Sequence, residues 1–306
     1  MIYSILENTS NAGKFFATLI IVILSLSIIS FIGMIVGIAI FNVDLIQFEN
    51  AINNIVDPEN IKILKFLQLV QSVGLFIVPP FIVAWLFSSK ITDYLKINVA
   101  PFVLSSIKVA LIMILAMPLI NFMAEINSML KLPESLSWLE QIMKTSENNA
   151  QNITDTFLKV NNISGLFFNI LLIAIMPAFG EELLFRGVFQ KIFEDWTKNI
   201  HLGIIFSAFL FSAMHFQFYG FLPRFMMGVL FGYMFFWSGS LWLPIIAHFT
   251  NNLAAVLISY FMNLGLIGKE IETIGSKFAY WPYVLISAII VTYLVHSVYL
   301  EHKRIL

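Results

Sequence analysis

The chain has 306 residues, and its 17 Lys plus Arg nearly balance its 18 Asp plus Glu; only 11% of it is charged, against about 25% in a soluble domain. With 59% hydrophobic residues and a mean hydropathy of +0.88, it is predicted to be all-α, a polytopic membrane helix bundle, in contact with a lipid bilayer over most of its surface. The balance offers no basic face for nucleic acid, and the absence of cysteine excludes disulfides, thiol nucleophiles and cysteine metal sites.

A bilayer core needs about 20 apolar residues as helix. In chain order, this rule predicts about eight spans, near 15–41, 64–88, 102–124, 164–180, 203–217, 221–237, 241–262 and 280–300. The first follows "MIYSILENTSNAGKFF", which has no basic n-region and no small-residue cleavage site, so it reads as a retained helix. Between the third and fourth spans lies a polar connection, 125–163, that alternates polar residues with Leu, Ile, Met and Trp. It reads either as an amphipathic helix on the membrane surface or as helices packed over the bundle. The predicted organisation is N-terminal membrane helices and a polar loop over 1–163, a core of four spans over 164–262, and a C-terminal membrane helix within 263–306.

An even number of spans puts both termini on one side. Lys14, Lys90, Lys96, Lys108, Arg186, Lys191, Lys198, Lys303 and Arg304 would flank that side. Lys62, Lys65, Lys131, Lys144, Lys159, Arg224, Lys269 and Lys277 would flank the other, so the vote is nine against eight. With the basic "EHKRIL" end, it favours cytoplasmic termini.

A charge at the centre of a membrane helix costs about 2.5–3.5 kcal/mol on insertion scales and calls for a reason. Three polar clusters in the second half of the chain raise that question. In "GEELLFR", Glu182 and Arg186 stand at i, i+4, share a helix face and are expected to pair. Glu181 lies about 100° round the helix from Glu182. It is therefore left free to face a cavity, as a general base would. Gly180 before it permits close approach of another backbone. Alone, the same pair also reads as the polar end of a span at headgroup level. In "FSAMH", His215 follows Phe211 by one turn, and alone it reads as a satisfied core histidine. In "HFTNN", His248 and Asn252 are again i, i+4. Both carry N–H donors suited to an oxyanion, or else form a hydrogen-bonded pair between helices. Asn251 is expected on another face. Of five histidines in the chain, two fall in apolar spans shortly after the Glu-Glu-Arg cluster. One shared polar pocket accounts for this more simply than three separate accidents.

In this order, Glu181-Glu182-x-x-x-Arg186, Phe211-x-x-x-His215 and His248-x-x-x-Asn252 resemble the CAAX prenyl protease and bacteriocin-processing family of intramembrane endopeptidases, also called CPBP or Abi. The resemblance covers residues 165–262. It implies that Glu181 and His215 activate a water for attack on a peptide carbonyl. It further implies that His248 and Asn252 bind the oxyanion and that Glu182 and Arg186 support the site. The implied partner is a peptide or a prenylated protein, and the implied setting is a bacterial plasma membrane. The family name carries metallo-endopeptidase activity, so the resemblance leaves two readings: no cofactor, or a zinc held by Glu181, His215 and His248. No H-E-x-x-H spacing is present.

Two other classes compete. A bacteriocin-immunity or membrane scaffold protein that retained the motifs for packing needs no chemistry at Glu181. A proton-coupled transporter predicts an inverted repeat, and the sequence shows none.

Overall fold

The computed structural model describes residues 5–54, 57 and 60–303. Arg304, counted among the flanking charges, lies outside them. The described residues are helical throughout, with no strand. In chain order the helices are α1 Asn11–Phe41, α2 Leu45–Asn53, α3 Ile61–Phe87, α4 Ile91–Leu95, α5 Val103–Leu115, α6 Met117–Ser128, α7 Ser137–Leu158, α8 Ile163–Thr197, α9 Ile200–Ala213, α10 Phe218–Ser238, α11 Trp242–Asn263 and α12 Trp281–Lys303.

Six of these are long and apolar enough to cross a membrane: α1, α3, α8, α10, α11 and α12. The α5–α6 pair, bent by 47° at Ala116, makes a seventh if it is one broken span. Pro118 sits in the first turn of α6, where its missing N–H costs no helical bond. The remaining predicted span, the fifth in chain order, is α9, with only 14 residues, or about 21 Å of rise. It packs between α8 and α10 through a buried face that includes Ile204, Ala208 and Phe211, while Ile205, Phe206 and Phe209 stay exposed. The chain is thus a multi-pass membrane protein of roughly the predicted span number. The outer helices show lipid-facing apolar surface: Phe16, Ile20 and Ile23 on α1 and Leu285, Ile286 and Ile289 on α12 are all more than half exposed.

Two boundaries differ from the sequence reading. The fourth span does not end at 180; α8 continues for 17 residues to Thr197. The charges that suggested an end are buried within it, so they do not mark a water interface. The fifth span stops at Ala213 rather than 217, because the chain turns through Phe216 at φ 52°. In the 125–163 connection, α7 packs over the bundle, touching α3, α11 and the start of α10. Its Phe157 is buried.

Helix α8 is central, and it is not regular. It widens into π-turns at Ile170–Ile175 and Phe185–Gln190. Between them, Pro177 has no N–H to give its preceding turn. The carbonyl this leaves, that of Ile173, accepts instead from Asn252 Nδ2 at 3.1 Å. At the second widening the Phe185 carbonyl accepts from Ser207 Oγ at 2.9 Å. Both side chains come from neighbouring helices, which ties α11 and α9 to α8 at fixed heights.

Helix α3 reaches α8 at Gly180. A Cβ there would stand 2.7 Å from Phe76 Cβ and 2.9 Å from Ile77 Cδ1. Gly180→Leu is therefore expected to force α3 and α8 apart at a cost of about 1–3 kcal/mol. A thermal melt of the detergent-solubilised chain reads this as a lowered midpoint; an unchanged midpoint would contradict the contact.

Candidate active site

Three consecutive polar positions of the fold begin on α8. Arg186 is fully buried, and its Nη1 donates to Glu182 Oε1 at 2.8 Å. Its Nη2 donates to the Gly228 carbonyl of α10 at 2.9 Å. Gly228 also lets α10 approach α9 closely, since a Cβ there would lie 3.0 Å from Ala208 Cβ. The guanidinium also lies over the rings of Phe211, at 4.7 Å, and Phe231, at 5.4 Å, a favourable arrangement for a desolvated cation. Arg186 therefore clamps α8 to α9 and α10 from within the core.

Glu182 has a second partner that the sequence reading did not assign. Its Oε1 also accepts from His248 Nδ1 of α11, at 2.8 Å. One carboxylate oxygen thus joins Arg186 and His248, and α8 is linked to α11 as well. Because a carboxylate accepts, the His248 proton sits on Nδ1. The ring stacks on Phe231 at 5.4 Å. His248 is thereby fixed in orientation, with Nε2 left as its available nitrogen.

Glu181 takes no part in this network. It lines a cavity of about 410 Å³, and its Oε2 is buried with no hydrogen-bond partner. Such an orphaned carboxylate oxygen is costly unless a ligand or water meets it.

His215 lines the same cavity from just beyond the end of α9. Its Nδ1 lies 2.9 Å from the Phe211 carbonyl, which can only accept. The proton therefore sits on Nδ1, and the neutral ring offers the Nε2 lone pair. Phe211 is more than filler: it stands edge-on to His215 at 5.2 Å and to His248 at 6.0 Å, and it lines the cavity.

Asn252 completes the set on α11. One of its N–H groups is spent on the Ile173 carbonyl, and the second is free. Asn251 was expected to point elsewhere. It instead lines the cavity and donates to Asn252 Oδ1 at 3.2 Å, because the cavity is wide enough to meet two neighbouring faces of α11.

The structure thus brings Glu181, His215, His248 and Asn252 to the lining of one cavity, with Glu182 and Arg186 outside that lining. Among the described residues, no three His, Asp or Glu side chains are grouped so as to hold a metal ion.

Sequence reasoning missed five contributors. Arg224, counted as a flanking charge, lines the cavity. So do Thr154 and Phe157 of α7 and Gln68 of α3. Lys65, also counted as a flank, is buried; its Nζ donates to Asn169 Oδ1 at 2.7 Å and to the Phe157 carbonyl at 3.0 Å, holding α7 over the site. The available signal was that Arg224 and Lys65 both fall inside predicted spans, at 221–237 and 64–88.

Residues 163–254 match the family model described as "Type II CAAX prenyl endopeptidase Rce1-like". This bears out the resemblance carried by the three motifs, and all seven motif residues lie within the match. The uncharacterized protein YpbD of Bacillus subtilis (strain 168) is 34% identical over 85 residues, which are 26% of this chain and 40% of that relative. The chain therefore spans less than half the length of the curated relative that it matches. No solved structure matches significantly.

Proposed function

We propose that this chain is an intramembrane endopeptidase of a bacterial plasma membrane that hydrolyses a bond in a peptide or prenylated-protein substrate. The observation that carries the reading is the partnerless Oε2 of Glu181, buried at the wall of a cavity that also holds His215. Glu181 and the Nε2 lone pair of His215 orient a water and take its proton as its oxygen attacks the peptide carbonyl. The C–N bond then breaks, and the proton passes to the departing amine nitrogen. His248 Nε2–H and the second Asn252 N–H hold the oxyanion of the tetrahedral intermediate. In that role both His248 nitrogens donate, the ring is the imidazolium, and Glu182 supplies the counter-charge. Arg186 and Glu182 keep the three helices in register. No step runs through a metal.

The test is cleavage of a panel of prenylated and unprenylated peptides by purified protein in proteoliposomes, with and without chelator. Hydrolysis that survives chelation is expected. Loss on chelation with recovery on added zinc would overturn the metal-free chemistry. A panel left intact by the wild type would favour a non-enzymatic immunity or scaffold role.

A further inference from the structure

We infer that Arg224 is a specificity-determining residue whose guanidinium takes a carboxylate of the peptide substrate close to the scissile bond. The inference rests on the endopeptidase reading and adds a recognition element to the same cavity.

Arg224 is the only Lys or Arg among the described residues that line the cavity. A guanidinium has five N–H donors. Two of them serve Gln217, from Nη1 to Oε1 at 2.9 Å and from Nη2 to the backbone carbonyl at 2.5 Å. Both of these acceptors are neutral. The buried Nε has no partner, and among the described residues Arg224 forms no ion pair. The contrast with Arg186 is direct: that buried guanidinium has a carboxylate at 2.8 Å.

Glu147 and Glu181 act on this cation only through space, with no carboxylate at ion-pair distance, so an arriving carboxylate would be its first direct anionic partner. Glu147 of α7 makes its hydrogen bond elsewhere, accepting from the Tyr219 N–H at 3.1 Å. The guanidinium is also pre-placed. It lies against Gly220, where a Cβ would stand 2.6 Å from Nη1 and Nη2, so only glycine lets it settle there. Free donors remaining on such a fork suit a carboxylate.

The cavity shared with Glu181 sets the reach. A cavity of about 410 Å³ is at the small end of ligand sites. A carboxylate on Arg224 therefore lies within a few residues of the bond cleaved. The carboxylate comes either from the chain terminus or from an Asp or Glu side chain on the leaving side.

The alternative is that Arg224 only braces the loop carrying His215, through Gln217. Matched peptides separate the two. They share one sequence and end in a free acid, an amide, or an amide preceded by Glu. Each is compared for kcat/KM on wild type, Arg224→Gln and Arg224→Lys, and for binding to the inactive Glu181→Gln chain by thermal shift.

The wild type is expected to prefer the free acid over the plain amide by about 10- to 100-fold. Arg224→Gln should bring that ratio towards one, and Arg224→Lys should keep part of it. A preference restored by the internal Glu assigns the carboxylate to a side chain; one shown by the free acid alone assigns it to the terminus. Either result supports the inference. Equal cleavage and equal binding of acid and amide would overturn it while leaving hydrolysis standing. So would an Arg224→Gln chain that loses acid and amide cleavage equally. Carboxylate-dependent binding without cleavage by the wild type would sink the hydrolytic reading and keep Arg224.

Discussion

Glu181→Gln is expected to insert, fold and melt like the parent chain while losing peptide hydrolysis by about 10²- to 10⁴-fold. The two halves of this result come from the same observation. Glu181 Oε2 has no hydrogen-bond partner, so the isosteric amide breaks no pair within the protein. It removes one buried charge that makes no ion pair at contact distance, so the change in stability is small. What it removes is the proton acceptor facing the cavity. An amide binds water but does not take its proton at neutral pH. Activity assays on the peptide panel and a thermal melt of the same preparation read the two halves together. Retained hydrolysis would remove Glu181 from the chemistry. A large fall in melting midpoint would mean that the carboxylate has a structural partner after all, and the spare-carboxylate argument would fail.

The site was legible in the sequence where helical spacing did the work. Glu182 and Arg186 at i, i+4 meet at 2.8 Å, because four residues on one regular helix leave little freedom. Spacing also kept Glu181 out of that pair. Contacts between helices were not legible. The His248–Glu182 bond joins residues 66 apart, and no local pattern announces it. The same holds for Asn252 on the Ile173 carbonyl, which depends on Pro177 having freed an acceptor one turn earlier in a helix 79 residues away.

Span ends were misplaced for a related reason. The rule that charge marks the water interface fails where charge is internally neutralised, as at Glu182 and Arg186 on α8. It failed in the same way for Lys65, whose ammonium is satisfied by Asn169 and a helix-end carbonyl. Three of the cations in the topology vote, Arg186, Lys65 and Arg224, thus sit inside the protein or on its cavity. They carry little information about which loop faces the cytoplasm.

Glu182→Gln, one residue along, is expected to do the opposite of Glu181→Gln on stability. Glu182 Oε1 accepts from both Arg186 and His248 at 2.8 Å, and the side chains of Glu182 and Arg186 are 0% and 1% exposed. The amide keeps a carbonyl acceptor but not the charge. Arg186 is then a buried cation whose hydrogen-bond partners, the amide carbonyl and the Gly228 carbonyl, are both neutral. Leaving one member of a buried pair unmatched costs about 3–5 kcal/mol, which lowers the thermal midpoint by on the order of 10 °C. Hydrolysis falls too, because His248 loses the partner that fixes its ring.

The double variant Glu182→Gln with Arg186→Met separates these effects. Removing both charges is expected to recover much of the midpoint, since methionine is apolar and fills irregular space. It leaves His248 without its carboxylate, so activity stays low. A double variant that regains stability but not hydrolysis would assign Arg186 to the scaffold and Glu182 to both the scaffold and the orientation of His248. If Glu182→Gln alone melts with the wild type, the junction of α8 and α11 at Oε1 does not hold the bundle together.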